Sequence, residues 1–309
     1  MTDVIAIGEV LIDLTQTGVN ENGIPVFAAN PGGAPANVCV AVSRLGGKAA
    51  FIGKVGSDGF GNYLERVLQK EHVNTDGLCR SERATTMAVV SVQADGERDF
   101  RFNRGADAEL SAAEVDPDAV RKAKVFHFGS ISLIGPESRE ATWRALHAAR
   151  AAGVLVSYDP NYRASLWPDE QTAVSRMKEP LEYADLVKLS EEELRLLTGT
   201  DDLEQGSRIL SEAGIPLVLV TLGGKGAFYR LGAHCGQVQG VRTKVADTNG
   251  AGDTFLGAVL YQLCSRGIRM PDDITVPVLE EIIGFANRAA SVTCSRSGAI
   301  PAMPTLEEI

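Results

Sequence analysis

The sequence predicts an α/β fold: a central, mostly parallel sheet flanked by helices, with a small β-sheet lid. Three observations predict it. From Val125 onward, short solid apolar runs alternate with helical segments, the order that parallel-sheet folds require. Between residues 85 and 104 the pattern becomes a polar/apolar alternation around a Gly-bearing loop, the mark of a hairpin with one exposed face. Near the C-terminus, the polar loop Asp247-Thr248-Asn249-Gly250-Ala251-Gly252-Asp253 runs straight into the apolar, helix-favouring segment 254–260.

Val4-Ile5-Ala6-Ile7-Gly8 is a continuous apolar run, as expected of a strand buried on both faces. Glu9 and Asp13 flank Val10-Leu11-Ile12, and a carboxylate just past such a strand lies where open α/β sheets bind ligands. From the residues alone, a solvated strand edge is the simpler reading of Asp13. Residues 18–30 are polar and Gly/Asn-rich, after which Pro31-Gly32-Gly33-Ala34-Pro35-Ala36-Asn37 opens a helix. Val38, Val42 and Leu45 share one face of that helix, and Gly46-Gly47 ends it. Two glycines before a helix start admit a polar ligand closely, and the Asn37 amide suits sugar hydroxyls; an ordinary strand-to-helix turn is the bland alternative. A strand over 49–55 and an amphipathic helix over 60–72 follow. Residues 86–92 and 98–102 flank Ala94-Asp95-Gly96-Glu97 as a hairpin. With residues 14–31 it forms a lid (about 14–31 and 85–104) inserted in a single body spanning 1–309. Arg104, just beyond the hairpin, is placed to reach a site beneath the lid, although exposed strand-end arginines are commoner.

The body resumes with strands over 125–129, 154–158, 186–189 and 217–220. Helices are expected over 138–152, 171–183, through Leu197, over 203–213 and over 278–293, and a further hairpin starts at residues 227–229. Asp159-Pro160-Asn161-Tyr162-Arg163 reads as a polar turn. Ser190 and Glu193 have capping-box spacing, which accounts for both, while Glu193 is also placed to hold a metal-bound water. Thr221-Leu222-Gly223-Gly224-Lys225-Gly226 is a glycine loop at the C-terminal end of a strand, a nucleotide contact by position; the GxxxxGK[ST] spacing is absent. At 250–253 the free N–H groups of a helix start favour an anion. Asp253 is out of place there unless it takes a proton from a hydroxyl that attacks a phosphate, or simply caps the helix.

A chain of 309 residues, 44% hydrophobic and 23% charged, can bury a large core. A net charge of -10 and a pI near 5.0 disfavour nucleic acid and acidic membrane surfaces as partners. No apolar run approaches the roughly 20 residues of a membrane span. Met1-Thr2-Asp3-Val4-Ile5 carries no basic signal region, so a cytoplasmic location is expected. Cys39, Cys79, Cys235, Cys264 and Cys294 are scattered without a CxxC pair, and the four His residues lack metal-ligand spacing. Gly8 belongs to no GxGxxG element, which leaves a dinucleotide-dependent oxidoreductase without support.

Together these motifs resemble the ribokinase-like (PfkB) family of sugar kinases over essentially the whole chain. Gly32-Gly33-Ala34-Pro35-Ala36-Asn37, with Gly46 and Gly56 at later spacings, is similar to the first family signature. Asp247, Thr248, Gly250, Ala251, Gly252 and Asp253 match the DTxGAGD pattern of the second. The resemblance implies transfer of the γ-phosphoryl group of ATP, with Mg²⁺, to a primary hydroxyl of a small sugar. Asp253 would be the base, and Gly250, Ala251 and Gly252 would supply the anion hole with it. Asp13, Gly32, Gly33 and Asn37 would bind sugar, with Arg104 at the lid and Arg163 near the substrate or the transferring phosphate. Lys188, Glu193, Thr221, Gly223 and Gly226 would serve the nucleotide, and Asn287 would lie near the adenine. A potassium ion would use Asp247 and the carbonyls of Asn249, Thr293 and Gly298.

Two positions depart from the family pattern. Its NxxE motif appears as Ser190 to Glu193, without the Asn, and Ala302 offers no side-chain oxygen to the cation site. Within the family the chain is most similar to fructokinases, through the run from Gly32 to Val38, Arg104 with Gly105-Ala106-Asp107, and Asp159-Pro160-Asn161-Tyr162-Arg163 with Leu166-Trp167. A 2-keto-3-deoxygluconate kinase is the nearest alternative, with ribokinase or nucleoside kinase behind it. That nearest group often has a tyrosine-rich approach to its arginine, where this chain has Arg101-Phe102-Asn103-Arg104. A non-catalytic sensor would have shed Asp253 or the glycines at 250 and 252, and all are present. A homodimer through the one-sided lid is expected.

Overall fold

The computed structural model describes residues 1–92 and 98–309; the expected hairpin loop Ala94-Asp95-Gly96-Glu97 lies outside the described residues. In chain order the elements are β1 (Val4–Ile7), β2 (Leu11–Val19), β3 (Pro25–Gly32), α1 (Ala34–Arg44), β4 (Ala49–Gly56), α2 (Gly59–Lys70), β5 (Asn74–Ser81), β6 (Met87–Val92) and β7 (Arg98–Asn103). Then follow α3 (Pro117–Arg121), β8 (Val125–Gly129), α4 (Pro136–Ala151), β9 (Leu155–Asp159), α5 (Glu170–Lys178), β10 (Leu186–Ser190), α6 (Glu191–Thr198) and α7 (Leu203–Glu212). The chain closes with β11 (Leu217–Thr221), β12 (Ala227–Leu231), β13 (His234–Val238), α8 (Ala251–Ser265) and α9 (Val276–Cys294).

Successive strand residues point to opposite faces, so a solid apolar run needs cover on both. Val4 and Ala6 of β1 pack into a core with α1, α2, α8 and α9, whereas Ile5 and Ile7 pack into a second core with α4, α5, α6 and α7. On β11 the same division separates Leu217 and Leu219 from Val218 and Val220. The sheet these strands form has the order β13-β12-β11-β10-β9-β8-β1-β4-β5. Neighbouring strands pair parallel except β11 with β12 and β12 with β13, so β12 alone of these strands runs against the others. The chain runs outward from β1 to β5 on one side and restarts at β8 on the other. That reversal opens a crevice at the C-terminal ends of β1, β8 and β9, where open α/β sheets place their ligands.

The remaining four strands form a second sheet, β3-β2-β6-β7. β2 pairs antiparallel with β3, bulged between Gln16 and Gly18, and parallel with β6. Val19, Ile24, Val26 and Phe27 leave 63%, 57%, 44% and 39% of their surface exposed along this sheet.

Four local expectations are corrected. Asp13 does not trail a core strand: β2 begins at Leu11, and Asp13 sits within the small sheet opposite Asn30 and Ala88. The helix expected over 171–183 ends at Lys178, because Pro180 has no N–H with which to continue the hydrogen-bond ladder; residues 181–183 form a separate 3₁₀ turn. The helix expected to reach residue 72 ends at Lys70, and His72 is left-handed with φ 57°. β5 is an unforeseen edge strand on β4. Among the described residues, no helix is long and apolar enough to cross a membrane.

Candidate active site

The α8 start is built as its glycines foretell. Gly250 is left-handed (φ 73°) directly before the helix, and a Cβ there would stand 3.0 Å from the Ala299 Cβ. Asp253 lies in the first turn of α8 and is buried. Its carboxylate is held by side chains from elsewhere in the fold. Asn37 of α1 donates to Oδ2 at 2.8 Å, and Asn161, in the turn after β9, donates to Oδ1 at 3.2 Å. A plain helix cap would bond the amides of its own first turn. Burial pushes the Asp253 carboxyl above its ordinary range; the Asn37 hydrogen bond opposes it, Asp159 adds to it, and Lys188 and Arg163 oppose it.

Asp253 opens onto a cavity of about 110 Å³ that also collects Asp13, Gly33, Asn37, Asn161, Arg163 and Gly250. Leu11, Phe102 and Ile131 supply its apolar wall. Gly33 is required by space, since a Cβ would lie 2.4 Å from the Glu9 carbonyl oxygen, and its φ is 111°. Gly32 lies behind the wall: a Cβ there would meet Asp13 Oδ2 at 2.5 Å. Asp13 is pushed up to about 6, chiefly by burial; Arg163 opposes the rise, and Asp253 and Asp247 add to it. Glu9 also faces the cavity, with Oε1 accepting from the Ala34 amide at 2.9 Å. Its buried Oε2 has no hydrogen-bond partner among the described residues, and burial pushes this carboxyl up to about 7.

A second cavity, of about 540 Å³, is lined by Thr221, Gly223, Gly226 and Asn287. Thr221 Oγ1 donates to the Leu189 carbonyl at 3.2 Å. Asn287 donates to the carbonyls of Val238 and Gln239 at 3.2 and 3.1 Å, pinning the chain where it leaves β13. Ala251 and Gly252 line this larger cavity, while Gly250 and Asp253 line the smaller one. The first turn of α8 is therefore a shared wall. Lys188 abuts it from β10: a Cβ on Gly252 would be 2.9 Å from Nζ. Lys188 is buried and pairs with Asp159 at 2.9 Å. Burial works against its charge, but the carboxylates of Asp159 and Glu193 outweigh that and hold its pKa above the ordinary value.

Two other expected residues are placed differently. Glu193 spends Oε1 on the Tyr162 amide and Oε2 on the Ser190 amide, both at 2.7 Å, so the capping-box reading describes its bonding. Arg104 lies outside both linings, pairing with Asp107 at 3.0 Å and reaching Ser138 Oγ at 3.4 Å. At the cation set, Asp247 accepts from the amides of Asn249 and Gly298, each at 3.1 Å. The Cys294 carbonyl accepts from the amides of Ala246 and Asp247 at 2.8 and 3.3 Å, and the hydroxyls of Thr293 and Thr254 lie 3.0 Å apart. The Asp247 carboxylate is thus the anionic member of this set, with each oxygen fixed by a backbone amide. The sequence reading gave no individual role to Asn161, Leu11 or Ile131, and noted Glu9 only for its place past the first strand. Asn161 carried a signal: Asn in a Pro-containing turn favours left-handed backbone, and its φ is 48°.

The pfkB family carbohydrate kinase model matches residues 1–306. The chain belongs to the pfkB family of carbohydrate kinases. It is 42% identical over 311 residues to fructokinase-2 of Solanum habrochaites, covering 99% of this chain and 94% of that one. The crystal structure of a fructokinase with bound ATP from Xylella fastidiosa is 34% identical, with a TM-score of 0.91 over 100% of this chain and 97% of that one. A fructokinase double mutant from Vibrio cholerae O395, in a form with fructose, ADP and potassium ion bound, is 32% identical, with a TM-score of 0.88 over 99% and 96% of the two chains. As a pfkB kinase, the chain keeps one family signature, 247–253, at the wall between its two cavities and lines the smaller cavity with Gly33, Ala34 and Asn37 of the other.

Proposed function

We propose that this chain is an ATP-dependent fructokinase that moves the γ-phosphoryl group from MgATP to the 6-hydroxyl of fructose. One observation carries the reading. Asp253 is buried at the wall between the small polar cavity and the larger glycine-lined one, with each carboxylate oxygen held by a side-chain amide. An acceptor hydroxyl in the first cavity and a polyphosphate in the second meet at that wall. The sugar oxygen bonds to the γ-phosphorus as the bond to ADP breaks, and the hydroxyl proton goes to Asp253.

Phosphoryl transfer needs positioning and charge neutralisation more than covalent help. The α8 N–H groups around 250–252 face the developing charge, and Lys188 adds a fixed cation behind them. The raised pKa of Asp253 brings the base nearer the working pH, which strengthens proton acceptance. Potassium, held by Asp247 with the carbonyls of Asn249, Thr293 and Gly298, would supply charge that keeps the 247–250 loop ordered. Thr221, Gly223, Gly226 and Asn287 receive the nucleotide in this reading.

The sugar cavity favours a neutral ketose over a sugar acid. Among the described residues, Glu9, Asp13 and Asp253 face it against the one cation Arg163, so a ligand carboxylate would add a charge of the wrong sign. Phe102 contributes a wall with no phenolic donor. A sugar panel tests the reading, with kcat/KM measured for fructose, 2-keto-3-deoxygluconate, ribose and a nucleoside. Fructose should rank first; another leader would remove the fructose assignment, and no ADP with any sugar would leave a sensor.

In the same reading the small sheet is a lid inserted in a single body and closes over the sugar to exclude water. Its exposed Val19, Ile24, Val26 and Phe27 pair two copies into a homodimer. Five free thiols suit the reducing cytoplasm.

A further inference from the structure

A carboxylate that must accept a proton along one direction gains from a fixed plane as well as a fixed position. Asn37 alone pins one oxygen of Asp253 and leaves the group free to swing about that contact. The second contact comes from Asn161, whose amide reaches Oδ1 at 3.2 Å. Asn161 is itself anchored. Asp159 Oδ1 accepts from the Asn161 backbone amide at 3.1 Å, and Asp159 Oδ2 takes the Lys188 ammonium at 2.9 Å. A chain of contacts thus runs from Lys188, beside Gly252 on the nucleotide side, through Asp159 and Asn161 to the base on the sugar side. Asn161 is left-handed, a conformation that Asn tolerates better than other residues with a side chain but that glycine adopts more readily still. If only the backbone shape mattered, glycine would serve better.

We propose that Asn161 is a positioning residue for the Asp253 base, its amide fixing the plane of the carboxylate while the Asp159–Lys188 pair fixes Asn161. The proposal rests on the kinase reading above and deepens it. The charged groups facing Asp253 are Asp13 from β2, Asp159 from β9, Lys188 from β10 and Arg163 from the turn after β9. None of them replaces a neutral amide donor. Removing that donor weakens the ionised form and moves the acid limb of kcat to higher pH.

The test compares N161G, N161D and wild type as full-length enzyme, measuring kcat, KM for fructose and thermal midpoint across pH. Glycine keeps the backbone shape and loses only the amide, so N161G should melt near wild type. Its kcat should fall about 10- to 100-fold, the loss expected for a hydrogen bond to a charged group, with KM changed less than about 2-fold. The acid limb should move up in N161G, and further up in N161D, which sets another carboxylate against the base. An unmoved limb in N161G, or a loss carried by KM alone, would overturn the proposal. D253N run in parallel keeps the two claims apart: full turnover there defeats the base reading, whereas full turnover in N161G defeats only this one.

Discussion

Asn37 donates its amide to Asp253 Oδ2 at 2.8 Å, and its own carbonyl oxygen is buried without a partner among the described residues. In the proposed kinase both ends of this side chain would serve the small cavity: the nitrogen holds the base, and the oxygen is left for a sugar hydroxyl. An unsatisfied buried acceptor is costly, so a ligand donor there gains affinity. Asn37→Ala should consequently raise KM for fructose and also move the acid limb of kcat to higher pH. Steady-state kinetics from pH 5 to 9 check this; a change in KM with an unmoved limb would separate the two roles.

Glu9 makes a stability prediction. Its carboxyl ionises near 4.5 in the unfolded chain and is pushed up to about 7 when folded. Between those values the unfolded chain loses its proton first, so stability contributed by this group falls as pH rises. Above pH 7 the penalty is complete, roughly 3 kcal/mol at most for a shift of this size. Glu9→Gln keeps an oxygen for the Ala34 amide and removes the charge. It should stabilise the fold at pH 8.5 and give no gain at pH 4, by urea unfolding at each pH. An equal effect at both pH values would contradict the assignment.

Gly33→Ala meets backbone on two sides, the Glu9 carbonyl oxygen at 2.4 Å and the Val10 Cα at 2.9 Å. Neither obstacle can rotate away, so a loss of about 2–4 kcal/mol in stability is expected, with weakened sugar binding. Gly46→Ala is the matched control. Its φ of 97° is similarly unfavourable, but no atom lies within 4 Å of a Cβ there, and only about 1 kcal/mol should be lost. Thermal unfolding and fructose titration of both variants decide it.

Val26 and Phe27 are exposed on the small sheet, and the proposed homodimer buries them. Val26→Lys with Phe27→Glu should convert a dimeric mass to a monomeric one in light scattering. A monomeric wild type would end the proposal.

Much of this architecture is legible in the residues because its signals are local. The runs at Val4–Ile7 and Leu217–Thr221 are apolar at every core position, as a sheet covered on both faces demands. The GAGD segment announces a helix start with its glycines. β5 was hidden because Asn74–Ser81 lies half-buried at an edge and carries little apolar content. Asp13 is misplaced by the sequence because a three-residue break, Gly8-Glu9-Val10, ends one strand and begins another in a different sheet. Glu193 invites a metal-linked role by motif, yet the Tyr162 and Ser190 amides take both its oxygens, and amide donors on a distant turn leave no mark in sequence. The contacts to Asp253 span 216 and 92 residues, which is why no spacing could show that Asn37 and Asn161 meet the same carboxylate.

The central claim is that Asp253 takes the proton of the acceptor hydroxyl. The direct measurement is ADP release by Asp253→Asn with ATP, Mg²⁺ and saturating fructose, alongside fructose binding by calorimetry. General-base removal predicts turnover at least about 10²-fold below wild type, with folding and sugar binding retained. Near-normal turnover in that variant would contradict the account.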